Sequence, residues 1–262
     1  MNFIHKAITI LGVTAVLGGI VPAAHAQAPQ TSTVELKAVD FLNRGLSKAK
    51  RRDYQGAIAD YTQAIRANPN LVVAYMNRGM AHHDLGNFKG AIADFDTALR
   101  LNPNDAKAYY NRGEARSDIG DLPGAISDMD QAIRRNPNNA EAYNNRGVAR
   151  AMMGDIQTAL ADLNQVIKLK PDYADGYYNR GKTRTASGDA QGAISDYTQA
   201  VRLKPDLAEA YGNRGLLYSQ TGNNQAALAD LQRAAQIFAK QGNQESYQQT
   251  LDFIQKIQHT GN

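Results

Sequence analysis

The triplet Asn-Arg-Gly occurs at 43–45, 77–79, 111–113, 145–147, 179–181 and 213–215, and every step is 34 residues. A period of this length means stacked copies of one supersecondary unit, each burying its apolar face against its neighbours. The chain of 262 residues can therefore grow by stacking, without one large core. Let each repeat be numbered 1 to 34, with the triplet Gly at position 8. Position 4 is Phe41, Tyr75, Tyr109, Tyr143, Tyr177 and Tyr211. Position 20 is Ala57, Ala91, Ala125, Ala159, Ala193 and Ala227. Position 24 is large: Tyr61, Phe95, Met129, Leu163, Tyr197 and Leu231. Position 27 is Ala64, Ala98, Ala132, Val166, Ala200 and Ala234, and position 32 is Pro69, Pro103, Pro137, Pro171 and Pro205.

Positions 4, 8 and 11 share one face of a first helix, A, and positions 20, 24 and 27 one face of a second, B. These faces are expected to pack together. Gly at 8 opposite Ala at 20 lets the backbones approach, and the large residues at 4 and 24 fill the wider ends. Gly86, Gly120, Gly154, Gly188 and Gly222 at position 15 can end helix A in a left-handed conformation. Asn87, Asp121, Asp155, Asp189 and Asn223 follow and can cap helix B. Pro at 32 stops helix B, and the Asn or Asp after it is expected to cap the next helix A. In the first repeat Arg52-Asp53 replaces Gly-Asp, which predicts a less well defined turn.

This pattern resembles the tetratricopeptide repeat (TPR) family over about 200 residues. The resemblance implies an all-α, right-handed superhelical solenoid whose concave surface is lined by the A helices. Six repeats are expected within 38–239, at about 38–71, 72–105, 106–139, 140–173, 174–207 and 208–241. Position 7, usually leucine-like in the family, is Arg in all six repeats; position 11, often Tyr, is Lys48, His82, Arg116, Arg150, Arg184 and Tyr218. The sixth repeat has Ala239 where Pro is expected, so its helix B runs to about Gln241 before Gly242-Asn243 turns the chain. Tyr247, Leu251, Ile254 and Ile257 then recur at helical spacing, marking 242–262 as a capping helix and tail. Ser32 and Glu35 form a capping box for the first helix, after a lead-in from 27 to 37.

Residues 1–26 read as a secretory signal: Lys6, an apolar stretch from Ala7 to Val21, then Ala24-His25-Ala26 as a cleavage site. An uncleaved anchor is the alternative reading. Nothing later is long and apolar enough to span a bilayer, so a soluble protein of the periplasm or another extracytoplasmic lumen is expected. Cleavage removes Lys6 and no acid, taking the formal charge from +4 to +3. That charge is too small to imply nucleic acid. With no Cys, disulfides, thiol catalysis and thiolate metal sites are excluded.

Positions 2, 6, 9 and 13 make a second stripe on helix A, which in the family faces the groove. Position 6 is the triplet Asn: Asn43, Asn77, Asn111, Asn145, Asn179 and Asn213. An amide can donate to one backbone group of an extended peptide and accept from another, whatever the peptide's side chains. The alternative is that each Asn bonds a neighbouring helix and sets the pitch. The rest of the stripe varies, as specificity requires: Met80 at an apolar end with Val39, Leu46 and Val73, then Glu114, later Lys182, with Tyr110 and Tyr178 beside it. Arg at 7 is matched by Asp60, Asp94, Asp128, Asp162, Asp196 and Asp230 at 23, which predicts a ladder of Arg–Asp pairs between helices A and B. Lys48, Lys50, Arg51 and Arg52 form a dense basic run, read as a solvated turn or a contact for an anionic partner. No catalytic constellation, metal site or cofactor motif is evident. The expected function is a non-enzymatic adaptor of the cell envelope that holds other proteins or peptides. A glycan-binding accessory of a polysaccharide pathway is the alternative.

Overall fold

A computed structural model describes residues 33–260. The signal segment, most of the lead-in and the Ser32 cap lie outside the described residues. Thirteen helices and no strand are found among the described residues. They are α1 (Thr33–Lys50), α2 (Tyr54–Ala67), α3 (Val72–Asp84), α4 (Phe88–Leu101), α5 (Ala106–Asp118), α6 (Leu122–Arg135) and α7 (Ala140–Met152). There follow α8 (Ile156–Leu169), α9 (Ala174–Ala186), α10 (Ala190–Leu203), α11 (Ala208–Gln220), α12 (Asn224–Lys240) and α13 (Gln244–Thr260). The helices group into two compact units, Met1–Ile119 with α1 to α5 and Gly120–Asn262 with α6 to α13. Within the units the helices pair as hairpins α1–α2, α3–α4, α7–α8, α9–α10 and α11–α12, and the expected C-terminal helix α13 packs on α12. No described helix is long and apolar enough to cross a membrane.

The turns between A and B helices follow from their residues. Glycines at position 15 take positive φ, from 74° at Gly86 to 84° at Gly154. The next residue caps helix B in every repeat, as where the Asn87 side chain accepts from the Gly90 N–H at 3.1 Å. The first repeat differs from the sequence expectation. Its turn is as well formed as the others: Asp53 caps Gly56 at 2.9 Å, and the Asp53 N–H donates to the Lys48 carbonyl at 3.0 Å. This is achieved by forcing Arg52 to φ 61°, a region costly for any residue with a Cβ. Arg52→Gly is therefore expected to raise unfolding stability by roughly 0.5–1 kcal/mol. Chemical denaturation checks this, and an unchanged or lower midpoint would show that the turn is unstrained.

The turns from B to A correct a second expectation. Position 33 does not cap the next helix A. The capping place is position 34, where only Asp105 and Asn139 bond the helix with their side chains, while Leu71, Tyr173 and Leu207 do not. Asn at position 31 supplies a local bond instead: the Asn68 side chain accepts from the Asn70 N–H at 3.0 Å. Asn68 itself is extended, at φ −136°, as a residue before proline prefers.

In the first, second and fifth repeats the Gly at 8 serves a different contact from the one expected. A Cβ on Gly45, Gly79 or Gly181 would lie 2.5, 2.7 or 2.8 Å from the ring of Tyr61, Phe95 or Tyr197 at position 24. The missing side chain makes room for an aromatic ring. Close approach to the backbone at position 20 occurs where position 24 is Leu: the Cβ would sit 3.3 Å from the Ala159 carbonyl at Gly147 and 3.2 Å from the Ala227 carbonyl at Gly215.

Between repeats, position 3 of helix A packs on the preceding helix B. It is buried Ala74, Ala108, Ala142, Gly176 and Ala210, but exposed Asp40 in the first repeat. Position 10 behaves alike, with Ser47 exposed where the later repeats bury Ala81, Ala115, Ala149, Thr183 and Leu217. The outer face of α1 is thus written for water, as a solenoid end requires. At the other end Ile254 and Ile257 of α13 pack on Ala227 and Leu231, closing the last core.

Candidate functional site

The A helices carry the candidate residues, and the Arg at position 7 fixes those helices. Arg78 grips Asp94 through two bonds of 2.9 and 2.7 Å. Arg146 grips Asp162 at 2.9 and 2.6 Å, Arg180 grips Asp196 at 2.9 and 2.6 Å, and Arg214 grips Asp230 at 2.6 and 2.8 Å. Arg44 bonds Asp60 through the same two nitrogens, both onto Oδ1. The carboxylates are buried, Asp196 with only 1% of its surface exposed. The expected ladder is therefore present within these repeats.

Sequence reasoning missed the other half of the joint. The remaining nitrogen of each Arg reaches back to position 25 of the preceding repeat: Arg78 to Thr62 at 3.0 Å, Arg112 to Asp96 at 2.6 Å, Arg146 to Asp130 at 2.5 Å, Arg180 to Asn164 at 2.7 Å and Arg214 to Thr198 at 2.9 Å. Position 25 changes residue type but always accepts a hydrogen bond, which is the signal that could have found it. All six Arg also stand over the aromatic at position 4, from 4.9 Å at Phe41 to 5.7 Å at Tyr75 and Tyr177. Arg44 has no preceding repeat, and its side chain is 61% exposed against 13–20% for its paired counterparts in repeats two, four, five and six. Position 11 reinforces the ladder: Lys48, Arg150 and Arg184 bond Asp60, Asp162 and Asp196 at 2.8, 2.7 and 2.8 Å. The Arg44 and Lys48 bonds hold the Asp60 carboxyl below the ordinary carboxylate range.

In the first unit the stripe begins with exposed Val39 and Asn43. Leu46, Asn77 and Met80 share a shallow cleft with Tyr54, Tyr61 and Asp84. Asn77 is buried and donates to the Val73 carbonyl of its own helix at 2.7 Å. Asn111 is half-buried, and the Tyr110 hydroxyl donates to Glu114 at 2.8 Å.

In the second unit the amides form a connected set. Asn179 donates to the Asn144 side chain at 2.9 Å, and Asn144 donates to Asn145 at 3.3 Å. The Asn213 amide is near enough to the hydroxyls of Tyr178 and Tyr197 to favour their ionised forms, and the Tyr197 hydroxyl meets the Thr185 hydroxyl at 3.2 Å. Burial, and then the nearby charge of Glu209, push the Tyr178 hydroxyl up to about 12. Lys182 stands 5.8 Å over the Tyr178 ring. The amide column is thus uneven, with Asn77 turned inward and Asn179 tied to a neighbouring helix. Two participants were not foreseen. Asn144 at position 5 holds the amide chain together. Tyr173 lies close enough to Asp175 and Glu141 for their charges, after burial, to push its hydroxyl up to about 12. No group of three or more possible metal ligands occurs among the described residues.

This arrangement, antiparallel hairpins with varied side chains on the A helices, defines a helical-repeat interaction scaffold. Family models described as Tetratricopeptide repeat match residues 42–106, 77–128, 110–174 and 208–241, and a TPR repeat model matches 181–222. The chain belongs to the tetratricopeptide repeat family. A comparison with curated proteins returned no relative. Among solved structures it is similar to MamA, at 29% identity and TM-score 0.59 over 63% of this chain and 96% of that one. It shares its fold with PilW, a type IV pilus biogenesis factor, at 21% identity and TM-score 0.72 over 82% and 98% of the two chains. YrrB, a TPR protein with an unusual peptide-binding site, matches at 24% identity and TM-score 0.57 over 68% and 91%.

Proposed function

We propose that the protein is a non-catalytic adaptor that holds an extended peptide segment of a partner protein along the A-helix stripe, after export and removal of residues 1–26. The observation that carries this reading is the hydrogen-bonded chain Asn179–Asn144–Asn145 on consecutive A helices, with Asn213 and Tyr178 on the A helices beside it. Fixed amides cost little to order when a ligand binds. Glu141, Asp175 and Glu209 at position 2 and Lys182 at position 9 supply charge for selecting side chains. In the first unit, Met80 and Leu46 offer an apolar seat.

The test is crosslinking in the native compartment, followed by binding measurements on the peptide segments identified. The triple variant N145A/N179A/N213A removes three amides worth about 1 kcal/mol each. It is expected to bind on the order of a hundredfold more weakly while keeping its helical circular dichroism. Equal affinity would remove the amide column from the site. Binding of purified cell-wall polymer, with no peptide bound, would favour the glycan reading.

A further inference from the structure

We propose that Met152 and Met153, consecutive at the A–B turn of the fourth repeat, are a modification site: peroxides convert them to methionine sulfoxide in the folded chain, and a sulfoxide reductase restores them. The inference stands whether or not the A-helix stripe holds a peptide. Three observations carry it. First, the chain has no Cys, so thioethers take the place of thiols as its sulfur groups open to oxidants. Five methionines follow Met1, and they differ in access. Met129 and Met76 are 1% and 6% exposed, and Met80 is half-buried against the same core as Met76. Met152 and Met153 are 68% and 53% exposed.

Second, the fold does not depend on these two thioethers. Other repeats place Lys50, Asp84, Asp118 and Gln220 where the fourth has Met152, and Arg51, Ser187 and Thr221 where it has Met153. The turn itself is held by the backbone. The Met153 N–H donates to the Ala149 carbonyl at 3.1 Å, the Asp155 N–H donates to the Arg150 carbonyl at 3.0 Å, and Gly154 takes φ 84°. A sulfoxide at either position is hydrated and leaves these bonds in place.

Third, the opposite holds where the chain is shielded. Met76 packs among Ala91, Phe95 and Ala98, where a polar sulfoxide would be cut off from water. The fold thus exposes thioethers where their oxidation is harmless and covers them where it is not. In the reaction the sulfur attacks one oxygen of hydrogen peroxide. An S–O bond forms as the O–O bond breaks, and the departing hydroxide takes the proton of the transferred oxygen and leaves as water. Sulfur gives up two electrons and the peroxide receives them. The reductase reverses this with a dithiol, which becomes a disulfide while the oxygen leaves as water.

Timed treatment of the full chain with hydrogen peroxide, followed by digestion and tandem mass spectrometry, tests this methionine by methionine. In the folded chain Met152 and Met153 are expected to gain oxygen on the order of tenfold or more faster than Met76 and Met129. In denaturant, where access is equal, the rates are expected to converge. The chain oxidised in this fast phase is expected to keep its helical circular dichroism and its melting temperature. The two methionine sulfoxide reductases, one for each sulfoxide epimer, are expected to restore both thioethers with dithiothreitol as the dithiol. M152L/M153L is expected to fold as the wild type does and to lose the fast phase. Equal rates in the folded chain, a fast phase that persists in the variant, loss of helicity or earlier melting as the fast phase completes, or sulfoxides that the reductases leave in place would each overturn the proposal.

Discussion

Asp196→Ala is expected to lower unfolding stability by about 3–5 kcal/mol, as for one member of a buried charged pair. The side chain is 1% exposed, and two guanidinium groups, of Arg180 and Arg184, converge on it at 2.6 and 2.8 Å. Alanine leaves both cations facing a dry gap. They are 15% and 26% exposed, so part of that cost is relieved through water, which favours the lower end of the range. Asp130 is the built-in control. It binds Arg146 at 2.5 Å but is 34% exposed, so Asp130→Ala is expected to cost less than about 1 kcal/mol. Urea unfolding of the two variants checks both values. Equal losses would mean that burial does not decide the strength of these pairs.

The second large effect is at the Gly of the triplet. A Cβ on Gly79 would lie 2.7 Å from the Phe95 ring, and that ring is fully buried. Gly79→Ala is expected to destabilise by about 1–3 kcal/mol, overpacking outweighing the better helix propensity of Ala. At Gly212, also within helix A, nothing lies within 4 Å of the added Cβ. Gly212→Ala is expected to stabilise by up to roughly 1 kcal/mol. Opposite signs for one chemical change, read by thermal melting, would show that the ring at position 24 requires the glycine. Equal signs would refute that.

Much of the fold was legible because periodicity multiplies the signal. A lone Asn-Arg-Gly says little, but six at one spacing define a register, and each position can then be read down a column. The Arg–Asp ladder came from matching two such columns. The position-25 acceptors escaped because Thr62, Asp96, Asp130, Asn164 and Thr198 share a hydrogen-bonding capacity and not a residue type. The B-to-A caps were misplaced by one residue because Asn and Asp occur at several neighbouring positions, and only backbone geometry selects among them. At the candidate site, the sequence marks Asn43, Asn77 and Asn179 as equivalents. Their surroundings do not, since local neighbours decide whether an amide turns onto its own helix, onto an adjacent one or toward solvent.

The guanidinium at position 7 has a consequence for how such a chain changes length. Each helix A brings the donor and each helix B leaves behind the acceptor, so every junction between repeats works like a plug and its socket. A 34-residue block copied and inserted in register carries one of each. The array can be lengthened or shortened by gene duplication without inventing a new contact, provided the exposed Arg44 and α13 remain at the two ends.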